Sequence, residues 1–297
     1  MLFSMLSGSE KRAKLRVGLK SGTIVRAPGA FSPLVAMEIE RLGFEAVYVS
    51  GAVISADLGL PDIGLTTLTE VAGRAEQIAR VTDLPTIVDC DTGFGEPMSA
   101  ARTIRMMEEH GIAAIHLEDQ INPKRCGHLD GKSVIPADEM VRRVKAAVDA
   151  RRDPNMVVIA RTDARAIEGL TGMIERANLY AEAGADIIFA EALKDADEWS
   201  TASSDITAPL LANMTEFGKS DLLPANELQA LGASIVIYPV TTLRVAMKAA
   251  GDVLNEISET GTQRAALDRM QTREQLYDLL QYERYNTLDR DIFNFKL

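Results

Sequence analysis

Cysteine is nearly absent: Cys90 and Cys126 are the only two in 297 residues. That excludes a disulfide framework and a Cys-rich zinc site, and it fits a reducing cytoplasm. No apolar run approaches the roughly 20 residues needed to cross a bilayer. The N-terminus is basic at Lys11, Arg12, Lys14 and Arg16 but has no long apolar core of the kind a secretory signal carries. It reads as a solvated arm leading into a first helix, with a short organellar targeting peptide as the alternative. Positive charge is in deficit, 32 Lys and Arg against 43 Asp and Glu, for a net charge of -11. Nucleic acid and anionic membrane both call for a basic face, so neither is expected as a partner. Also missing are a Gly-x-Gly-x-x-Gly turn, a low-complexity tract and a linker, which leaves no sign of a dinucleotide fold or of a domain boundary.

What is present is a repeated alternation. Short β-rich apolar runs occur at Ile24–Arg26, Ala46–Val49, Thr86–Val88, Ala114–Leu117, Val157–Ala160, Ile187–Ala190, Leu210–Ala212 and Ile235–Tyr238. Their near-continuous apolar character predicts parallel strands buried on both faces. Segments of helical spacing lie between them, for example Glu139–Ala150 and Gly172–Ala183. Gly43, Gly111, Gly184 and Gly232 each precede a strand and fit left-handed helix ends. Eight such units predict one α/β domain over residues 1–297, a (β/α)8 TIM barrel. The tail beyond about residue 265 carries Leu276, Tyr277, Leu279, Leu280, Tyr282 and Tyr285 on a helical pattern. It adds C-terminal helices that pack either on their own barrel or on a neighbouring subunit.

Barrel sites lie where strands end, and here the strand ends are polar: Ser50-Gly51-Ala52, Asp89-Cys90-Asp91, Glu118-Asp119-Gln120, Arg161-Thr162-Asp163, Glu191, and Asn213 with Thr215. Asp89 and Asp91 flank one residue, so in extended backbone both carboxylates project to one side while Cys90 points away. Such a pair suits a hard divalent cation, Mg²⁺ with Mn²⁺ as an alternative, with Glu118 nearby. The loop Asn122-Pro123-Lys124-Arg125-Cys126-Gly127-His128 sets a thiol among basic groups, which lowers a thiol pKa and readies it for proton transfer or attack. Arg161, Asn213, Thr215 and Arg244 make a set that would hold a small polycarboxylate. His116, inside a strand, and His110, near a helix end, read as structural.

With these motifs assembled, the sequence resembles the isocitrate lyase and phosphoenolpyruvate mutase superfamily over nearly its whole length, most closely the branch that cleaves 2-methylisocitrate. The resemblance rests on Ser50-Gly51-Ala52, Gly59-Leu60-Pro61-Asp62, Asp89 to Gly95, Glu118-Asp119-Gln120 with the Lys-Arg-Cys-Gly-His loop, Ala160 to Ala164, Glu191-Ala192, Asn213 to Gly218 and Met270 to Arg273. It implies Mg²⁺ at Asp89 and Asp91, and substrate contacts from Ser50, Gly51, Ala52, Cys126, Gly127, His128, Arg161, Glu191, Asn213, Thr215, Arg244 and Arg273. It further implies retro-aldol cleavage of a small tricarboxylate, (2S,3R)-2-methylisocitrate, to pyruvate and succinate in the methylcitrate cycle of propionate catabolism. Cys126 would be the acid, and either Tyr48 or Glu118 the base. A homotetramer with swapped C-terminal helices is implied as well. Ala52 stands where some members have a second Gly. Phe189 matches the methyl-accepting members, where isocitrate-specific ones carry Trp. The rival readings are a related lyase acting on isocitrate, 2,3-dimethylmalate or oxaloacetate, and, from another class, a non-catalytic barrel used for binding.

Overall fold

The computed structural model describes residues 4–125, 127 and 131–294. Eight strands appear where the apolar runs predict them: β1 (Val25–Pro28), β2 (Val47–Val49), β3 (Thr86–Asp89), β4 (Ala114–Glu118), β5 (Val157–Thr162), β6 (Ile187–Ala190), β7 (Leu210–Asn213) and β8 (Ala233–Tyr238). They form one sheet in the order β1-β8-β7-β6-β5-β4-β3-β2, and each adjacent pair in that order is parallel, as in β4 against β5 and β1 against β8. The seam between β1 and β2 is joined by Ala46 N to Arg26 O at 3.3 Å and Ala30 N to Tyr48 O at 2.9 Å. The sheet therefore curls into a barrel.

Around it lie α1 (Gly8–Lys20), α2 (Pro33–Arg41), α3 (Gly51–Asp57), α4 (Leu68–Ala79), α5 (Pro97–Glu109), α6 (Ala137–Ala150), α7 (Arg165–Glu182), α8 (Ala196–Asp205), α9 (Ala225–Ala230) and α10 (Thr241–Thr260). A 3₁₀ turn (Arg264–Arg269), α11 (Arg273–Leu279) and α12 (Tyr282–Phe293) follow. Gly43, Gly111, Gly184 and Gly232 all have positive φ, as expected for residues that end helices. Among the described residues no helix is long and apolar enough to cross a membrane.

Strand alternation sorts the core into two layers. Ile87, Ala114, Val157, Ile159, Ile187, Phe189, Leu211, Ile235 and Ile237 fill the lumen. Their neighbours Val88, Ile115, Val158, Ala160, Ile188, Ala212 and Val236 pack outward under the helices. Burial on both faces is why the runs carry no polar alternation.

The N-terminal segment departs from the solvated arm expected of it. Ser7 and Glu10 form a reciprocal cap, and the helix that follows lies across the N-terminal mouth of the barrel. Leu15 closes the lumen from below. The basic residues are tied down: Lys11 Nζ donates to Ala79 O at 2.7 Å, Arg12 pairs with Asp153 at 2.6 Å, and Arg16 pairs with Asp186 at 2.8 Å. Ala79 ends α4, while Asp153 and Asp186 lie shortly before β5 and β6, so the basic side chains address oxygens at the barrel bottom rather than solvent.

The C-terminal helices are held less firmly. Neither α10 nor α12 contains a buried residue, and α11 has only Leu279. Leu276, Leu280 and Tyr285 share a groove with Pro33, Leu34 and Met37 of α2, so the tail rests partly on its own barrel. Val245, Met247 and Leu254 of α10 and Ile292 of α12 are more than 60% exposed, which leaves apolar surface bare.

Truncating Leu15 to Ala, in a layer where it is 1% exposed, should lower unfolding free energy by about 2–5 kcal/mol through lost burial and an unfilled cavity. Urea unfolding measures this, and a loss under about 1 kcal/mol would mean α1 does not seal the lumen.

Candidate active site

At the C-terminal ends of β2 to β7 the inward-facing series turns polar. Along β4 the inward series runs Ala114, His116, Glu118; β5 gives Ile159 then Arg161, β3 gives Ile87 then Asp89, and β7 gives Leu211 then Asn213. Beyond β2 and β6 the same parity reaches Ser50 and Glu191. The strands thus bring Tyr48, Ser50, Ala52, Asp89, Gly127, Arg161, Phe189, Glu191, Asn213 and Thr215 around one cavity. That joins most of the predicted site. Cys126 and His128 lie outside the described residues.

Asp89 and Asp91 do converge, but not through the extended backbone that their spacing implied. Asp89 ends β3, whereas Asp91 is left-handed at φ 47°, a conformation Asp tolerates better than most residues. The turn brings Asp91 N within 3.1 Å of Asp89 Oδ1. Gly51 N donates to Asp89 Oδ2 at 3.0 Å. A Cβ on Gly51 would stand 3.0 Å from Asp89 Oδ2 and 3.1 Å from Asp91 Oδ1, so a larger residue would press on both carboxylates. Cys90 points away into the outer layer, as expected.

Charge is dense here. Burial and the neighbouring Asp89 raise Asp91 to about 6, and for Asp89 the burial effect is outweighed by His116, Lys124 and Arg161, which hold it low. Lys124, 4% exposed, pairs with Asp91 at 2.8 Å and also with Asp62. Arg161 is shared among Asp163 at 2.9 Å, Glu118 at 3.2 Å and Glu191 at 3.3 Å, and it lies 5.0 Å over the Phe189 ring. Glu118 is fully buried, its pKa raised well above the usual range by burial and by Asp163 despite Arg161. Asn213 reaches Glu191 at 3.4 Å. Gly127 lies directly over this cluster: a Cβ there would be 2.5 Å from Arg161 Nη2 and 2.5 Å from Glu191 Cγ. With that loop in place the cavity holds about 50 Å³, room for little more than a water or two.

Two predicted contacts fall elsewhere. Arg244 lies at the rim, held by Glu216 at 2.6 Å and stacked on the exposed Phe217 ring at 5.4 Å. Arg273 opens α11 and lines a different groove with Tyr277 and Tyr282, because the tail carries it away from its own barrel mouth.

Of the cluster's other members, sequence places Lys124 in the reactive loop, Asp163 at a polar strand end and Asp62 in a family motif without giving any of them a role of its own, and it reads His116 as structural. His116 sits inside the lumen, with Nε2 2.7 Å from the Tyr48 hydroxyl and its ring edge against Phe189. Inward parity on β4 was the signal that could have found it.

The phosphoenolpyruvate phosphomutase family model matches residues 15–258. A probable 2-methylisocitrate lyase of Corynebacterium glutamicum is 61% identical, over 96% of this chain and 94% of its own. The solved structure of 2,3-dimethylmalate lyase in its trigonal crystal form, described as a PEP mutase/isocitrate lyase superfamily member, superposes with a TM-score of 0.89 at 32% identity over 99% of both chains. Phosphonopyruvate hydrolase in complex with oxalate and Mg²⁺ gives 0.86 at 29% identity, over 94% of this chain and 98% of that one.

Burial lowers His116 to about 4 against an opposing push from Asp89. A His with a depressed folded pKa stabilises the fold fully above the unfolded value near 6.5 and loses that contribution as pH falls through about 4. Relative to a His116→Gln variant, wild-type stability should therefore decline by about 1.4 kcal/mol per pH unit below pH 6.5 and level off near 4. Denaturant unfolding across this window checks it, and a flat difference would show that His116 is not held neutral.

Proposed function

The chain belongs to the phosphoenolpyruvate phosphomutase family, and on that premise we propose that it is a carbon–carbon lyase that cleaves (2S,3R)-2-methylisocitrate to pyruvate and succinate. The observation that carries the reading is the convergence of Asp89, Asp91, Arg161 and Glu191 under the Gly127 loop, in a chain whose relatives at 46–61% identity are named 2-methylisocitrate lyase or probable 2-methylisocitrate lyase. The family model's name denotes a different reaction, and the presence of the Lys-Arg-Cys-Gly-His loop favours the lyase.

The donor set fits a divalent cation. Asp89 and Asp91 are hard oxygen ligands whose carboxylates converge, and Asp91 Oδ1 already faces a cation, Lys124 Nζ at 2.8 Å. Mg²⁺, with Mn²⁺ as a substitute, would be held there and would supply Lewis-acid stabilisation of oxyanions. The protein's own groups do the rest. Arg161 meets the negative charge that develops when the C–C bond breaks and a dianionic enediolate of the departing succinate forms. Tyr48 is the better placed of the two bases, since it lines the cavity and Glu118 does not; its hydroxyl oxygen lies 2.7 Å from His116 Nε2. Burial and Asp89 keep Tyr48 protonated at rest despite Arg161, so as base it would take up the substrate's hydroxyl proton while handing its own to His116 Nε2. Cys126 returns a proton to the enediolate carbon. Phe189 forms the wall near the substrate's methyl group.

The assembly we propose is a homotetramer in the cytoplasm, with the helical extension from about residue 265 exchanged between paired subunits. The bare apolar faces of α10 and α12 support it, and exchange would give Arg273 a neighbour's site to reach.

Assays of the purified chain with Mg²⁺ should rank 2-methylisocitrate above isocitrate, 2,3-dimethylmalate and oxaloacetate by kcat/KM; a lead for any rival overturns the substrate choice. Chelation should abolish turnover, and Mg²⁺ should restore it. Cys126→Ser should lose at least 100-fold in kcat with an unchanged melting temperature, and full activity in that variant would remove the thiol from the reaction.

A further inference from the structure

Asp119 is a buried acid to which the lyase chemistry gives no part. It follows Glu118, the inward-facing end of β4, and so points the other way, out of the barrel and under α7. Burying a carboxylate is costly unless donors meet it. Here they do: Oδ1 accepts from Asp163 N at 2.9 Å, and Oδ2 accepts from the hydroxyls of Thr162 and Tyr180, each at 2.8 Å. Each hydroxyl has a donor of its own, Ala164 N on Thr162 at 3.3 Å and Arg176 Nη1 on Tyr180 at 3.3 Å. Those donors leave the hydroxyl hydrogens free to turn towards Asp119.

What Asp119 grips is the end of β5. Its own N–H donates to Arg161 O at 3.2 Å, so Arg161, Thr162 and Asp163 are each tied to this one residue. Asp163 in turn reaches back to Arg161, accepting from Nε at 2.9 Å and from Nη2 at 3.2 Å. A paired grip of this kind fixes the plane of a guanidinium as well as its place. Arg161 has two rival acids across the neighbouring strands, Glu118 at 3.2 Å and Glu191 at 3.3 Å. Only the fixed carboxylate of Asp163 keeps it from swinging wholly to either.

We infer that Asp119 is a positioning residue for the lyase reaction: by fixing Thr162 and Asp163 from outside the barrel wall, it sets the orientation of Asp163 that aims Arg161 into the cavity. Tyr180 ties this anchor to α7, so the helix layer helps to align a group that it does not touch. The catalytic part of this inference rests on the lyase reading; the hold on Arg161 does not.

In the full-length chain, Asp119→Ala removes the anchor and leaves Arg161 and Asp163 in place as residues. Crystal structures of this variant and of wild type should show the Arg161 guanidinium displaced by about 1 Å or more while the Cα atoms of β4 and β5 keep their positions. With 2-methylisocitrate and Mg²⁺, kcat should fall about 10- to 100-fold while KM changes less than about threefold. An unmoved Arg161 overturns the inference. A guanidinium displaced only together with the strands also overturns it, since Asp119 is then merely structural. A displaced Arg161 with an unaltered kcat overturns the positioning role. If Asp119→Ala does not fold, Tyr180→Phe takes away one anchoring bond without emptying the core, and kcat should fall about three- to tenfold at constant KM; unaltered turnover there overturns the inference. A wild-type chain that cleaves no 2-methylisocitrate, yet whose Arg161 moves in the variant, defeats the lyase reading and leaves the hold on Arg161 standing.

Discussion

Carboxylates crowded into a desolvated barrel mouth must be compensated, and here Arg161, Lys124 and Lys132 share the task among Asp89, Asp91, Glu118, Asp163 and Glu191. A buried charge with no partner would neutralise itself or destabilise the fold by several kcal/mol. Arg161 and Lys124 each bridge more than one acid, and Lys132 joins Asp163 to the Gly127 carbonyl. That sharing ties strands β3 to β6 and the β4–α6 loop into one electrostatic unit, in which a change at any member is felt by the others. The division of Asp89 and Asp91 into a low and a raised pKa follows from the same crowding: two close carboxylates do not both ionise at no cost.

The fold delivers those charges through a simple rule of parity. Along β2 to β7 the inward series is apolar low in the lumen and turns polar at or just past the top, so the packing that stabilises the barrel also aims the reactive groups. Phe189 sits at the changeover. It packs against His116, supports the Arg161 guanidinium and forms part of the cavity wall.

The strands and most helices were legible because both faces of the sheet are buried, which writes apolar runs, and because left-handed helix ends write glycines. The acidic pair was legible by position, although its geometry came from a left-handed Asp91 that spacing cannot reveal. Lys132 was not legible: a lone lysine in a polar loop looks solvated until the fold brings Asp163 beneath it. The same holds for Tyr180, which lies 61 residues from its acceptor Asp119. The basic N-terminus misled for a related reason, since its partners are carbonyls and acids set only by tertiary structure. The bare faces of α10 and α12 explain why the tail's pattern allowed two readings: the pattern is that of a packed helix, and within one chain most of the packing surface is absent.

The helix across the barrel floor has a consequence for synthesis. Arg12 finds Asp153 across 141 residues of sequence, so a helix made among the first waits for a partner made much later. At a translation rate of about 5–20 residues per second that wait is on the order of ten seconds. During it Leu15 has no lumen to fill, and the nascent segment presents an amphipathic face that competes for other apolar surface. The floor of the barrel is thus laid last by the part of the chain that emerges first.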